Sequence, residues 1–219
     1  MTIVSIKSGS DEELRKIELS DGSFFSFKAC YLPPVFLNEN LYTPGLANGC
    51  EISAAEEEAF RFASACLRAE KAALQLIAHA EQNTFGLSRK LKKRGHGAAC
   101  VNAAISRLAE LELVDDRRYA GLWLESHISR QASSPRRLLA ALQSRGIDYD
   151  DAETALKNVL DDETEQQLLE RYIQKQRRKG RCPSETTSGD DDSAARRSLR
   201  YLLKSEGFSG PAIQRFFND

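Results

Sequence analysis

Asp115 with Asp116, the histidines His79, His96 and His127, and five cysteines are the residues of this 219-residue chain whose types can carry chemistry. Adjacent carboxylates can divide acid and base roles, but at a helix start they cap orphan N–H groups and complement the helix dipole, which is the role expected here. The histidines fall on separate predicted segments with no H-E-x-x-H string, so surface or packing roles are expected and no metal. Cys30, Cys50, Cys66, Cys100 and Cys182 are odd in number and never form a C-x-x-C pair. They support neither a disulfide framework nor a zinc site, and free thiols in a reducing cytoplasm fit best. With no G-x-S-x-G, P-loop or G-x-G-x-x-G, hydrolase, NTPase and dinucleotide chemistry have no motif to rest on. The expectation is a binding protein without cofactor, not an enzyme.

Charge is the stronger signal. The net charge of −1 hides segregation: Arg89, Lys90, Lys92, Lys93 and Arg94 form one acid-free run, Arg130 to Arg145 a second and Lys175 to Arg181 a third, while Asp148 to Glu170 is acid-rich. A single basic run is as easily a solvated helix face as a binding site; recurrence shifts the balance towards binding. No apolar stretch approaches the ~20 residues that span a bilayer, and no signal segment opens the chain, so a cytoplasmic monomer without membrane contact is the expectation.

The elements that must position these charges emerge from periodicity. Ile3 to Lys7 and Lys16 to Phe27 alternate apolar and polar around Asp21-Gly22, predicting a small β-hairpin, and Pro33, Pro34 and the Asn38 to Gly49 stretch connect it to the helical remainder of the chain. Ser53-Ala54-Ala55-Glu56 is a capping box that opens a helix through Phe60 and Phe62. Beyond it the chain repeats. Counting from Gly95, Gly146 and Gly207 as zero, position −8 is Leu87, Leu138 and Leu199, and position −4 is Leu91, Leu142 and Leu203. Position +6 is Val101, Ala152 and Ile213, position +10 is Ile105, Leu156 and Phe217, and position +1 is His96, Ile147 and Phe208. With leucine at about one residue in ten, six coincident leucines have odds on the order of one in a million, which the roughly several hundred ways of choosing three glycines reduce but do not cancel.

Leucines four apart stack on one helix face, a glycine at zero ends that helix in the left-handed conformation, and +6 with +10 start a second amphipathic helix. A further striped helix precedes each pair, around Leu74 to Ile77, Leu122 to Ile128 and Leu168 to Ile173. The fold class is therefore mainly α: three tandem three-helix repeats forming an elongated curved array, preceded by a small N-terminal β-hairpin segment. The expected divisions are 1–52 for hairpin and linker, 53–112 for an N-terminal helix plus repeat 1, 113–161 for repeat 2, and 162–219 for repeat 3 with a mobile loop at 181–192. Tyr119 and Trp123, four apart on one helix, are expected to pack in the core.

Leu113-Val114-Asp115-Asp116-Arg117-Arg118-Tyr119-Ala120 at the first repeat junction, with Arg94-Gly95 and Arg145-Gly146, resembles the RecX family of RecA regulators over about residues 65–219. The Asp-Asp-x-x-aromatic-Ala string is its most specific piece. Glu206 where a basic residue usually precedes the glycine, His96 in an apolar place, and the long 181–192 insertion depart from the family pattern. The resemblance implies a non-enzymatic protein that lies in the groove of a RecA–DNA filament and restrains strand exchange, ATP hydrolysis and coprotease activity. The candidate contacts with RecA or DNA are Arg89, Lys92, Lys93, Arg94, Arg136, Arg137, Arg145, Arg177, Arg178, Lys179, Arg196, Arg197 and Arg200. A second reading is a helical DNA-binding protein that acts without RecA, because basic three-helix units also resemble helix-turn-helix modules. An enzyme with a pocket that no motif announces ranks third.

Overall fold

In a computed structural model, residues 1–8, 13–33, 48–180 and 191–218 are described, the last segment without the side chains of 191–193. The expected mobile loop falls on 181–190, outside these residues, as do Cys182 and most of the connecting stretch after Pro33. Asp191 and Asp192 belong instead to a helix.

The N-terminal alternation gives β1 (Ile3–Ser8), β2 (Leu14–Leu19) and β3 (Phe24–Lys28), an antiparallel sheet of order β1-β2-β3. The expected hairpin is thus the β2–β3 half of a three-stranded sheet, with Ile17 opposite Phe25 and Gly22 at φ 81° in the turn. The Asp21 carboxylate accepts the Ser23 N–H and hydroxyl, which holds that turn and keeps the Asp21 pKa below the usual carboxylate value.

Helices occupy the rest: α1 (Ala54–His79), α2 (Thr84–Lys93), α3 (Ala98–Glu110), α4 (Asp116–Arg130), α5 (Pro135–Gln143), α6 (Tyr149–Val159), α7 (Asp162–Arg178), α8 (Asp191–Ser205) and α9 (Gly210–Asn218). The capping box forms as expected, with Glu56 N–H donating to Ser53 Oγ and Ser53 N–H to Glu56 Oε2. The helix it opens does not stop before repeat 1. It is the same 26-residue helix that carries Leu74 to Ile77, about 39 Å long. No residue between 54 and 79 is Gly or Pro, so nothing interrupts it. None of the helices among the described residues is long and apolar enough to cross a membrane.

The chain divides into two compact units, Met1–Asp115 and Asp116–Asp219. In the first, the inward residues Ile17, Leu19, Phe25 and Phe27 pack on Phe60, Ala63, Cys66 and Ala69 of α1, where small residues let the sheet approach. Phe27 stacks on Phe60 with ring centroids 5.3 Å apart. Lys28 Nζ, 2.8 Å from the buried Glu70 carboxylate, and the Tyr31 hydroxyl, which donates to it at 2.7 Å, satisfy the one acid on that face. Farther along, Ala73 of α1 joins Leu87, Leu91, Val101, Ile105 and Leu108 in a second cluster. In the second unit, repeats 2 and 3 share one core around Leu138, Leu142, Leu168, Leu169, Leu199 and Leu203.

Candidate functional site

The three leucine helices α2, α5 and α8 end the same way. Gly95, Gly146 and Gly207 have φ of 86°, 84° and 88°, a conformation an L-residue enters at a cost of ~1–2 kcal/mol. In each, the N–H after the glycine donates to the carbonyl of the −4 leucine at 3.2 Å: His96 to Leu91, Ile147 to Leu142 and Phe208 to Leu203. The glycine N–H donates to the carbonyl at −3, from Lys92, Gln143 and Lys204. These two bonds make a Schellman stop, and its hydrophobic partner at +1 is buried in Ile147 and Phe208 but is the half-buried His96 in repeat 1. The −8 and −4 leucines are buried in all three helices. The opposite face of each helix therefore points outward from its own unit.

On those faces, Arg89, Lys92, Lys93 and Arg94 of α2, Arg136 and Arg137 of α5, Arg196, Arg197 and Arg200 of α8, and Arg178 with Lys179 at the end of α7 are exposed. Arg145 and Arg177 are half-buried. From Thr84 to Arg94, from Pro135 to Gly146 and from Ser193 to Ser205 there is no acid, so each outer face carries an excess of positive charge along its own sequence.

Several of these cations also work inside the fold. Arg145 donates to the Ala141 carbonyl at 2.7 Å and lies over the Trp123 ring, 4.3 Å from its centroid, while the His127 ring stacks on Trp123 at 4.6 Å. Trp123 and Tyr119 are partly buried against the core rather than fully within it. Desolvation first, then Arg145 and Lys175, hold the His127 pKa below its ordinary value. Arg136 Nη1 reaches the Ser205 carbonyl at 3.5 Å, and its backbone N–H donates to the Glu206 carbonyl at 3.0 Å. Ser134 donates to the Glu206 carboxylate, which lies 3.9 Å from Arg137. Glu206 thus holds the stop of α8 against the start of α5 by satisfying an orphan donor of the first turn. Arg200 stacks over Phe217 at 4.6 Å.

Asp116 is the first residue of α4, placed to complement its dipole, and Asp115 immediately precedes it. Among the described residues no group of three His, Cys, Asp or Glu is arranged to hold a metal.

Two residues escaped the sequence reading. Phe85 on α2 is 45% exposed beneath Arg89, whose guanidinium is 5.9 Å from the ring centroid, and Tyr201 on α8 is 78% exposed. Counted from the glycines, positions −10, −6 and −3 are Phe85, Arg89 and Lys92 on α2, and Arg197, Tyr201 and Lys204 on α8. Positions −10, −6 and −3 fall on one helical stripe, so each helix presents one aromatic ring among cations. The signal was in the sequence, but only the frame of the glycines aligns it.

Residues 115–156 match the family model described as RecX, second three-helix domain. The chain is 34% identical over 122 residues to Regulatory protein RecX of Treponema pallidum (strain Nichols), covering 56% of this chain and 74% of that protein. It is 29% identical over 135 residues to Regulatory protein RecX of Mycobacterium tuberculosis (strain ATCC 25177 / H37Ra), covering 62% and 75%. A crystal structure of regulatory protein RecX superposes with a TM-score of 0.68 over 100% of this chain and 99% of that one, at 20% identity. The crystal structure of RecX from Lactobacillus salivarius gives 0.52 over 70% and 95%, also at 20% identity. The two crystal structures share the fold; the Treponema relative carries the kinship, and by it this chain belongs to the RecX family of regulatory proteins.

Proposed function

We propose that this protein regulates RecA without catalysing a reaction, by occupying the groove of the RecA–DNA filament and so inhibiting strand exchange, ATP hydrolysis and coprotease activity. The observation that carries this reading is the recurrence of an acid-free leucine helix whose outer face bears cations, once per three-helix repeat. Such faces attract an anionic nucleoprotein surface from a distance and lose that attraction as salt is added. A protein that binds one filament state better than another shifts the filament towards that state by its differential affinity. The proposed contacts are Arg89, Lys92, Lys93, Arg94, Arg136, Arg137, Arg178, Lys179, Arg196, Arg197 and Arg200, with Arg145 and Arg177 contributing less because they are half-buried.

The test is RecA ATPase on single-stranded DNA with and without the protein, beside direct DNA binding across a salt series. Inhibition at substoichiometric protein is the expected result; tight DNA binding with no effect on RecA would replace this reading with DNA binding independent of RecA. Phe85 and Tyr201 favour a direct DNA contact within either reading, because exposed rings among cations can stack on unpaired bases.

A further inference from the structure

Alongside the outer strand β3, the first unit has a cavity of about 450 Å³ that the repeat architecture does not use. Phe24 and Phe25 form one wall and Arg61, Ser64, Arg68 and Lys71 of α1 the other. The size is that of a small-molecule site, which runs from roughly 300 to 1,000 Å³.

Its chemistry is specific. Arg61 is matched by Glu57 and Glu58 on its own helix. Arg68 and Lys71 have no such match: the residues three and four away from them are Ala65, Ser64, Ala72, Leu67, Leu74 and Gln75, besides each other. Both side chains are exposed, and like charges three apart on a helix repel weakly, so an anion between them would be attracted by both. Ser64 lies in the floor beneath them, 6% exposed, with its Oγ sealed from solvent. On the opposite wall Phe24 is 60% exposed, a large ring turned outward beside the buried Phe25.

From this arrangement we propose that the cavity between β3 and α1 binds a nucleoside phosphate unit, with its base against Phe24 and its phosphate between Arg68 and Lys71. The unit is either a free nucleotide or one nucleotide of a single strand, since both present the same planar base and anion. A planar ring and a cation pair at one cavity match a ligand that is aromatic at one end and anionic at the other. The site lies on the sheet and the middle of α1, so it stands or falls separately from the cation faces of the leucine helices.

The experiment uses the full chain without RecA. A fluorescent N-methylanthraniloyl-ATP and a fluorescein-labelled oligo-dT are titrated into the wild type and into Phe24→Ala, Arg68→Glu and Lys71→Glu, with circular dichroism checking that each variant keeps its helicity. Arg68→Glu and Lys71→Glu are expected to weaken binding by about tenfold or more, and Phe24→Ala by ~5-fold or more, the range of a lost base stack. Loss of nucleotide binding identifies the free ligand, and loss of oligonucleotide binding alone identifies the strand; either supports the site. Binding of neither probe to the wild type, or binding of both unchanged in all three variants, overturns it. So does tripolyphosphate binding as tightly as the nucleotide with no effect of Phe24→Ala, which leaves only a polyanion surface, and so does displacement of both probes by polyglutamate, which makes an acidic peptide the occupant.

Discussion

On α2 the positions ten, six and three residues before the terminating glycine hold Phe85, Arg89 and Lys92, whereas on α5 they hold Arg136, Ala140 and Gln143. Both helices bury the same two leucines and stop through the same pair of backbone bonds. They differ in what the outer face is left to do. Arg136 and Arg137 of α5 lie within reach of Ser205 and Glu206 at the end of α8, and Arg145 lies over Trp123. The cations of α2 have Arg89 over an exposed ring and Lys92, Lys93 and Arg94 turned to solvent. One repeat frame thus serves two ends: α5 fastens repeats 2 and 3 together, and α2 presents charge outward.

The shared frame is tested by the largest effect. Leu142→Ala and Leu91→Ala each remove a side chain with 0% exposure, and each is expected to cost about 2 to 5 kcal/mol in urea unfolding. A large loss in one and none in the other would break the equivalence. Next come the glycines. Gly95→Ala meets no atom within 4 Å and carries only the left-handed backbone cost of ~1–2 kcal/mol, while a Cβ at Gly207 would meet the Arg136 nitrogen at 3.3 Å and is expected to cost more. Equal losses would remove the fastening role assigned to the α8 stop.

Charge reversal separates the outer faces. Arg89→Glu with Lys92→Glu and Lys93→Glu is expected to weaken inhibition of RecA ATPase by about tenfold or more with helicity unchanged. Arg136→Glu with Arg137→Glu should weaken it less and also lower the unfolding midpoint, because both side chains face the Glu206 region. The smallest effect is a pH slope. With the His127 pKa lowered in the folded state, the unfolded chain binds more protons as the pH falls below the ordinary value of 6.5. The stability His127 contributes is therefore full above that pH and declines as the pH falls through the lowered folded value. His127→Gln should flatten this part of the urea-midpoint profile, and an unchanged slope would remove His127 as its source.

The helical triplets were legible because leucine spacing and a left-handed glycine leave marks that do not depend on distant residues. The third strand and the unbroken α1 were harder. Ile3 to Lys7 alternates like a strand, but its partner β2 is also the partner of β3, and pairing is a property of the sheet rather than of the segment. Leu74 and Leu122, stripe residues by their spacing, are 38% and 48% exposed, while Ala73 and Ala120 on the same helices are buried, because close helix approach selects small side chains where periodicity alone points to large ones. The role of Glu206 was not legible either. It breaks the basic-glycine pattern locally, and only its meeting with Ser134, 72 residues away, gives it a reason.

Because α1 is a single rod, its first turns pack on the sheet and on Cys100 and Ala104 of α3, and its last turns on α2 and the rest of α3. Peeling away either partner would leave half of a long helix with its apolar side in water. The N-terminal sheet and the first triplet should therefore melt as one cooperative block, with amides on β2 and on α3 exchanging with deuterium through the same opening event.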